Sequence, residues 1–178
     1  PMKIIVAKTA GFCFGVDRAV KMTYDLLEKG AKVTTLGPLI HNPQCVADLC
    51  SKGAVIAETP SQISKDDEVV IRSHGVSQNV YDTIAATGAV IHDATCPFVA
   101  KIHRLAEKAD EQGKTLMVAG DKNHPEVQGI VGHTRGRVFI FADLEELKLR
   151  KLENFDQKGV FVVAQTTFEV KKWQECTE

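Results

Sequence analysis

The feature of this sequence that most constrains its fold is an internal repeat with one fixed offset. Four pairs of Cys, Gly or His residues share it. In each pair the second residue lies 83 positions after the first: Cys13 and Cys96, Gly30 and Gly113, Gly37 and Gly120, and His41 and His124. The last two pairs also share the pattern Gly-x-x-x-His, and each pattern follows an apolar, strand-like run. Four matches at a single offset favour two copies of one structural unit over coincidence.

Apolar runs rich in β-branched residues alternate with amphipathic segments of helical period along the whole chain. Strands are predicted near 3–8, 33–37, 53–57, 68–73, 89–92, 115–119, 137–142 and 159–164. Helices are predicted at 15–29, 43–52, 77–87, 98–112, 125–133, 143–149 and 168–177. This alternation is typical of βαβ units, so we expect an α/β fold with parallel sheets. Combined with the repeat, it predicts two small parallel-sheet α/β lobes, at 1–96 and 97–178, around a central cavity.

Composition excludes several classes of function. The 178 residues are 44% hydrophobic, which is enough for a sizeable core, and the net charge of -1 gives no basic excess for binding nucleic acid. No run approaches 18 apolar residues and no signal-peptide pattern opens the chain, so we expect no membrane segment and a cytoplasmic location. Five widely spaced cysteines without a secretory signal argue against a disulfide scaffold and favour reduced thiols or metal ligands.

Polar residues collect where the predicted strands end. Six such loops contain Cys, His or Thr: 11–15, 39–42, 72–75, 94–97, 123–126 and 165–167. Turn preferences explain any one of these loops. Ligands of open α/β sheets, however, bind at the carboxyl ends of the strands. We therefore expect the six loops to line one cavity between the lobes.

Cys13 and Cys96 are the strongest candidates for ligands. Cys13 lies near glycines on both sides and just before a predicted helix, whose N-terminus favours a thiolate. Cys96 is placed likewise, with Pro97 suited to the first helical position. Thiolate sulfur is the usual anchor of zinc and of iron-sulfur clusters. The remaining cysteines fall inside predicted helices and read as small hydrophobic residues: Cys45, Cys50 and Cys176.

Three of the histidines are candidates for binding an anion. His41, His74 and His124 can donate hydrogen bonds to a ligand such as a diphosphate. The other three are expected to serve turns or helix caps: His92, His103 and His133.

A carboxylate and two hydroxyl groups complete the candidate set. Glu126 is either a proton donor or a helix-start carboxylate stabilised by the helix dipole. Thr166 and Thr167 either orient a substrate hydroxyl or cap the following helix.

Several of these motifs together resemble one known family. They are Gly-Phe-Cys13-Phe-Gly-Val-Asp-Arg-Ala, Ser-His74-Gly-Val-Ser, Asp-Ala-Thr-Cys96-Pro, His124-Pro-Glu126-Val and Gln-Thr166-Thr. Over essentially the whole chain the sequence resembles 4-hydroxy-3-methylbut-2-enyl diphosphate reductase, the iron-sulfur reductase of isoprene biosynthesis by the non-mevalonate pathway. The resemblance implies three similar α/β lobes around a 4Fe-4S cluster. This chain would supply two lobes, and the third lobe and third cysteine ligand would lie beyond residue 178.

The resemblance also implies an activity and roles for particular residues. The reaction is reductive dehydroxylation of an allylic diphosphate to isopentenyl and dimethylallyl diphosphate, with electrons from a ferredoxin or flavodoxin. Cys13 and Cys96 would ligate iron, and Glu126 would deliver a proton. Thr166 would position the substrate hydroxyl, with Thr167 as the alternative. Contacts to the diphosphate or its proton network would come from His41, His74 and His124.

Cys176 lies 80 residues after Cys96, but with Trp173 it forms an i, i+3 pair that we expect to face the core. The chain alone is therefore expected to bind a cluster weakly or not at all, and to be an inactive fragment.

Two other classes of function remain open at this stage. One is a zinc-dependent hydrolase using Cys13, Cys96 and a histidine, and the other is a non-catalytic diphosphate- or phosphate-binding protein. Zinc enzymes commonly use closely spaced ligand pairs, which this sequence lacks. Metal content separates the three.

Overall fold

The structure, a computed structural model, describes residues 3–8, 10–149 and 159–178. The helices are α1 (Phe14–Glu28), α2 (Pro43–Ser51), α3 (Gln78–Ala86), α4 (Pro97–Glu111), α5 (Pro125–Val131), α6 (Leu144–Leu149) and α7 (Val170–Thr177). The strands are β1 (Val33–Leu36), β2 (Val55–Ala57), β3 (Glu68–Ile71), β4 (Val90–Asp93), β5 (Thr115–Ala119), β6 (Val138–Phe141) and β7 (Val160–Ala164). Within the described ranges no helix is long and apolar enough to cross a membrane.

The strands form two parallel sheets. The first sheet has the order β2-β1-β3-β4 and the second has the order β6-β5-β7. Every strand pair in both sheets is parallel. The prediction of an α/β fold built on parallel sheets is therefore confirmed. Because the pairing is parallel, the carboxyl ends of neighbouring strands meet at one edge of each sheet.

The 83-residue repeat is visible in the hydrogen bonding of the two sheets. The Gly37 N–H donates to the Ala57 carbonyl (2.8 Å) and the Gly120 N–H donates to the Phe141 carbonyl (2.9 Å). Each bond therefore ties the residue after a central strand to the end of the neighbouring strand. Helices α1 and α4 are also equivalent, each having 15 residues. The lobe boundary near residue 96 remains a prediction, although residues 33–93 form one sheet and residues 115–164 the other.

Each sheet is covered by helices that bury its apolar face. Helix α1 places Ala19 and Leu26 against Val33 and Val70 of the first sheet. On the second sheet the core beneath α4 and α5 contains Leu116, Val118, Ala106, Val127 and Ile130. Another cluster on that sheet includes Met117 and Phe141, with Trp173 and Cys176 packed against it. The expected core-facing pair on the last helix is therefore confirmed.

The predicted strand near 3–8 is wrong. None of the described residues in that range lies in a strand. The side chains of Ile4, Ile5 and Val6 are 80%, 76% and 76% exposed. An apolar extended run becomes a strand only when a neighbouring strand accepts its backbone hydrogen bonds. None of the described strands pairs with this segment.

The expectation that three histidines serve turns or caps holds only for His133, which lies in the turn after α5. His92 lies within β4, and its Nε2 is hydrogen-bonded to Glu68 (2.7 Å). His103 lies in the middle of α4 and is only 6% exposed.

His103 fills the space between α4 and two backbone segments. Its ring stacks on His133 at 4.0 Å between centroids. A Cβ at Gly75 would lie 2.6 Å from His103 Cε1, and one at Gly129 would lie 3.4 Å from Nε2. Only glycine allows the 75 loop to approach so closely, and its φ of +70° requires glycine as well. Burial and then the nearby His133 lower the pKa of His103 to about 4.

Replacing His103 should reduce the acid sensitivity of the fold. Its pKa is lowered in the folded state, so between about pH 6.5 and pH 4 the unfolded chain binds more protons. The free energy of unfolding therefore falls as pH falls through that window. Between pH 7.5 and pH 5.0 we expect His103→Gln to lose about 2 kcal/mol less than the parent chain, measured by urea unfolding.

His41→Gln, which removes an exposed imidazole, is the control for the loss of one histidine. An equal loss of stability in His103→Gln and the parent chain would contradict the role given to His103.

Candidate functional site

The two candidate cysteines occupy equivalent positions at the starts of two helices. Cys13 is the N-cap of α1 and Cys96 is the N-cap of α4. Neither thiol makes a capping hydrogen bond, although Ser, Thr, Asp or Asn would do so at such a position. Their carbonyls do accept the first helical bonds, from Asp17 N and Ala100 N, both at 2.9 Å. The first backbone hydrogen bond of each helix is thus made, and both sulfur atoms are left for a ligand.

A glycine brings the two helix starts together. A Cβ at Gly15 would lie 2.8 Å from Cys96 Sγ and 2.9 Å from its Cβ, so no larger residue fits without displacing the thiol. Arg18 adds a polar link from α1, because its guanidinium donates to the carbonyls of Thr95 (3.1 Å) and Asp93 (3.0 Å). The first turn of α1 is therefore fixed against the loop that carries Cys96.

Both thiols line one cavity of about 580 Å³. Phe14 and Phe98 also line it, and their side chains are 66% and 69% exposed. Thr166 enters the same cavity from the loop after β7. The remaining wall is largely apolar, with Ile102, Leu105, Val163, Ala164 and Trp173 among its residues. Two free thiols and one hydroxyl thus lie together in a largely apolar chamber.

Glu126 is joined to Thr166 by both of its carboxylate oxygens. The Thr166 N–H donates to Oε1 (2.6 Å) and the Thr166 hydroxyl donates to Oε2 (2.8 Å). Glu126 is 1% exposed, so its carboxylate is shielded from water, whereas Thr166 is exposed. The Thr167 hydroxyl instead accepts from Gln165 Nε2 (2.7 Å). The structure therefore joins Thr166, the preferred residue of the two, to the candidate proton donor.

The alternative that these threonines cap the next helix is wrong, because the N-cap of α7 is Glu169. The helix-start position of Glu126 is observed, since it lies in the first turn of α5. Glu126 thus both lies at a helix start and contacts Thr166.

The three candidate histidines form a cluster. His41, His74 and His124 follow β1, β3 and β5 respectively, and one ring nitrogen from each lies within 4.8 Å of the others. Their ring centroids are 5.2, 5.3 and 6.2 Å apart. This cluster could hold either a metal ion or an anion. Which nitrogen of each ring carries a proton distinguishes the two.

His124 is prepared as a hydrogen-bond donor. Its Nδ1 accepts from the Glu126 N–H (3.2 Å), so in the neutral ring the proton lies on Nε2. A metal-binding histidine normally has the reverse arrangement, in which the second nitrogen donates to a carbonyl or carboxylate. Burial, followed by the nearby His124, Arg72 and His41, lowers the pKa of His74 to about 4. At neutral pH His74 is thus uncharged, a form that can donate one N–H bond to an anion or bind a metal ion through its other nitrogen, so the preference for an anion rests on the hydrogen bond of His124.

The expectation that all six loops line one cavity is only partly met. His41 and His74 line a smaller pocket of about 250 Å³ with Phe12. The thiols and Thr166 line the larger cavity described above. The two are connected through the backbone, because Cys96 N donates to the carbonyl of Ser73, the residue before His74 (2.9 Å).

The other cysteines take no part in the site. Cys45 is partly buried against the core of the first sheet. Cys50 is exposed, so the interpretation of Cys50 as a buried hydrophobic residue is wrong. It lies near the end of α2.

Sequence reasoning missed the residues that support the site. It gave no role to Arg18, which stands inside the quoted Cys13 motif, or to Arg72, which lies two residues before His74. It expected the glycines beside Cys13 to admit a bulky group, and it missed the contact of Gly15 with Cys96. Proximity to a candidate ligand was the available signal. Which distant residue each of them contacts depends on how the helices pack.

An α/β protein with free thiols and a histidine cluster at the carboxyl ends of parallel strands belongs to the class that binds ligands at that edge. The family model described as LytB protein matches residues 4–178, and the chain belongs to that family.

The chain is also similar to curated relatives. It is 40% identical over 182 residues to the 4-hydroxy-3-methylbut-2-enyl diphosphate reductase of Thermoanaerobacter sp. (strain X514), a match covering 99% of this chain and 62% of the relative. It is 42% identical over 178 residues to the Syntrophotalea carbinolica protein of the same name, with coverage of 99% and 62%. The chain thus spans about six-tenths of the length of these relatives.

Solved structures agree with the fold. One is of (E)-4-hydroxy-3-methyl-but-2-enyl diphosphate reductase, described as the terminal enzyme of the non-mevalonate pathway. It matches with a TM-score of 0.82 and 37% identity, over 97% of this chain and 61% of that one. The corresponding reductase from Plasmodium falciparum matches with a TM-score of 0.87 over 95% of this chain and 53% of that one. At 24% identity this second match shows the fold alone.

Replacing Gly15 with alanine should strain the contact between the helix starts. The added methyl group would lie 2.8 Å from Cys96 Sγ, so we expect Gly15→Ala to lower the free energy of unfolding by about 1–3 kcal/mol. Displacement of the thiol should also make alkylation of Cys96 faster relative to the exposed Cys50.

Gly129→Ala is the matched control, since it adds the same group to a buried helical glycine with its nearest contact at 3.4 Å. Urea unfolding and mass spectrometry after brief iodoacetamide treatment measure the two effects. Equal stabilities of the two variants would rule out the steric role of Gly15.

Removing the Thr166 hydroxyl should destabilise the chain through Glu126. Thr166→Val leaves the buried Oε2 without its side-chain donor, for which we expect a loss of about 1–3 kcal/mol in the free energy of unfolding. Thr166→Ser keeps the hydroxyl and should lose much less. In the Glu126→Gln background the effect of Thr166→Val should shrink by about 1 kcal/mol, as a double-mutant cycle would measure. Additive effects would show that the contact contributes nothing.

Proposed function

We propose that this chain is the part of a 4-hydroxy-3-methylbut-2-enyl diphosphate reductase that supplies two cluster ligands, the diphosphate-binding histidines and the proton-delivering carboxylate. The observation that carries the proposal is that Cys13, Cys96 and Thr166 line one cavity while Thr166 is hydrogen-bonded to Glu126. The proposed reaction is the reductive dehydroxylation of an allylic diphosphate. Two electrons and two protons are consumed, water leaves, and isopentenyl and dimethylallyl diphosphate are formed.

The donor set of the large cavity fits a 4Fe-4S cluster. Cys13 and Cys96 offer two thiols at helix starts, where the dipole favours a negatively charged group. Their side chains make no capping bond, and the apolar walls and Gly15 leave room beside them. Two thiols are one short of the three that leave a single iron open for substrate, so we propose that a third ligand lies beyond residue 178. When bound, the cluster supplies electrons and a Lewis-acidic iron for the substrate hydroxyl.

The histidine cluster is proposed to bind the diphosphate. His74 is uncharged at neutral pH and His124 presents an Nε2–H, so these rings act as hydrogen-bond donors to phosphate oxygens. His41 is exposed at the entrance of the small pocket and adds a third ring. The diphosphate would thus lie at the ends of β1, β3 and β5, where parallel strands commonly place such groups.

Glu126 and Thr166 are proposed to manage the proton that lets the hydroxyl group leave as water. A substrate hydroxyl beside Thr166 can accept a hydrogen bond from the Thr166 hydroxyl, which in turn can accept a proton from protonated Glu126. His124 accepts a hydrogen bond from the backbone N–H of Glu126 through Nδ1, so the residue that carries the carboxylate also orients one of the proposed diphosphate donors. The proton and the phosphate would therefore be handled by one connected group of residues.

Electrons are proposed to come from a ferredoxin or flavodoxin, because the sequence has no glycine-rich nucleotide-binding motif. The zinc-hydrolase alternative is less well supported, because His124 is prepared to donate from Nε2 rather than to bind a metal. A non-catalytic phosphate-binding role would use the same histidines without a metal, and it is the alternative that the experiment below separates.

The proposal predicts the outcome of anaerobic iron-sulfur reconstitution. The chain extended at its C-terminus with the remaining sequence of its protein should hold about four irons, absorb broadly in the visible range and reduce the allylic diphosphate. The 178-residue chain should hold much less iron. In the extended protein Cys13→Ser and Cys96→Ser should each lose most of the iron and the turnover.

Cys50→Ser is the control, since Cys50 is an exposed cysteine away from the cavity. Full iron content in both cysteine variants would exclude them as ligands. Phosphate binding without iron in the extended protein would favour the non-catalytic alternative, and stoichiometric zinc would favour the hydrolase.

A further inference from the structure

Arg72 is a half-buried cation for which the described residues supply no ionic partner. It follows directly after β3, two residues before His74. Its Nε is buried and has no hydrogen-bond partner within the described ranges. None of the ion pairs found there includes Arg72. Burying a cation without a counter-charge is unfavourable, so a protein retains such a group where an anion arrives to complete it.

The turn after β1 makes room for the guanidinium group. A Cβ at Gly37 would lie 3.1 Å from Arg72 Nη1 and 3.9 Å from Cζ. Gly37 also has a φ of +69°, which a residue with a side chain rarely adopts. Gly37 begins the segment that leads to His41, so Arg72 lies between the loops that carry two of the clustered histidines.

Within the histidine cluster, His74 supplies a hydrogen-bond donor but no charge at neutral pH. Burial, His124, Arg72 and His41, in that order, lower the pKa of His74, and the three side chains named are the charged or titratable groups that act on it. The positive charge of Arg72 therefore reaches the His74 ring. A diphosphate carries several negative charges, which the uncharged His74 ring cannot balance.

We propose that Arg72 is a positioning residue of the diphosphate site, whose guanidinium is held against Gly37 and places a fixed positive charge behind His74. This inference rests on the proposed function of the histidine cluster. Arg72 does not line the small pocket with His41 and His74. It acts through the electric field at His74, where its charge adds to burial and to His124 in favouring the neutral, donating form of that ring.

Pyrophosphate titration of this chain tests the charge. By isothermal titration calorimetry at pH 7.5, Arg72→Met should raise the dissociation constant for pyrophosphate about tenfold. Arg72→Lys retains the charge, so its dissociation constant should stay within about threefold of that of the parent chain. Arg104→Met is the matched control, because Arg104 lies on α4 and lines a different cavity with Glu107 and His133. Its affinity should equal that of the parent. Thermal unfolding verifies that every variant is folded.

A second readout separates electrostatics from structural support. In a histidine NMR titration without ligand, the pKa of His74 should be higher in Arg72→Met than in the parent chain, because a repelling positive charge has been removed. In Arg72→Lys it should stay near the parent value. A purely structural role would perturb the Met and Lys variants alike, and that result would overturn the inference.

The failure of this inference differs from the failure of the proposed function. Suppose that the parent chain binds pyrophosphate, and that His41→Ala weakens this binding while Arg72→Met does not. Arg72 then has no part in the site, and the histidine cluster retains its role. If the parent chain binds no pyrophosphate at millimolar concentration, the anion site and the role of Arg72 are both rejected.

Discussion

Parallel strand pairing is the constraint on which the whole site depends. It directs the ends of β1, β3, β5 and β7 toward sheet edges where loops carry His41, His74, His124 and Thr166. These loops lie far apart in sequence, and in antiparallel sheets alternate loops would fall on opposite edges. A cluster of three imidazoles with ligand nitrogens within 4.8 Å follows from this geometry.

Two of the contacts between the repeats depend on the absence of side chains. Gly15 lets α1 approach Cys96, and Gly75 lets the loop after β3 approach His103. Hydrogen bonds then secure the approach, as Arg18 does on Thr95 and Asp93. The positions of the Cys96 and His103 side chains thus follow from the close packing of backbone segments. The thiol and the imidazole themselves contribute little to that packing.

Much of the fold could be predicted because hydrophobic period and glycine position are local signals. Helices α1 and α4 and strand β5 lie within about one residue of their predicted bounds. The run near Ile4 and Ile5 was misassigned, because β-propensity alone does not provide a neighbouring strand. The Glu126–Thr166 contact joins residues 40 apart in sequence, and the preference for Thr166 over Thr167 came from a family resemblance. The unpaired charge of Arg72 had no signal in the sequence, because it depends on which side chains pack around it.

Helices α1 and α4 each begin at a cysteine whose side chain does not cap them. An oxygen-bearing side chain at Cys13 or Cys96 would typically strengthen its helix by about 1 kcal/mol, so each thiol is kept at the expense of local stability. Cys13 is exposed and Cys96 is partly exposed, so both thiols are open to small reagents. An electrophile or oxidant therefore meets these thiols most readily before any ligand covers them. The exposure that suits these thiols to a ligand thus also leaves them sensitive to oxidation until the ligand is bound.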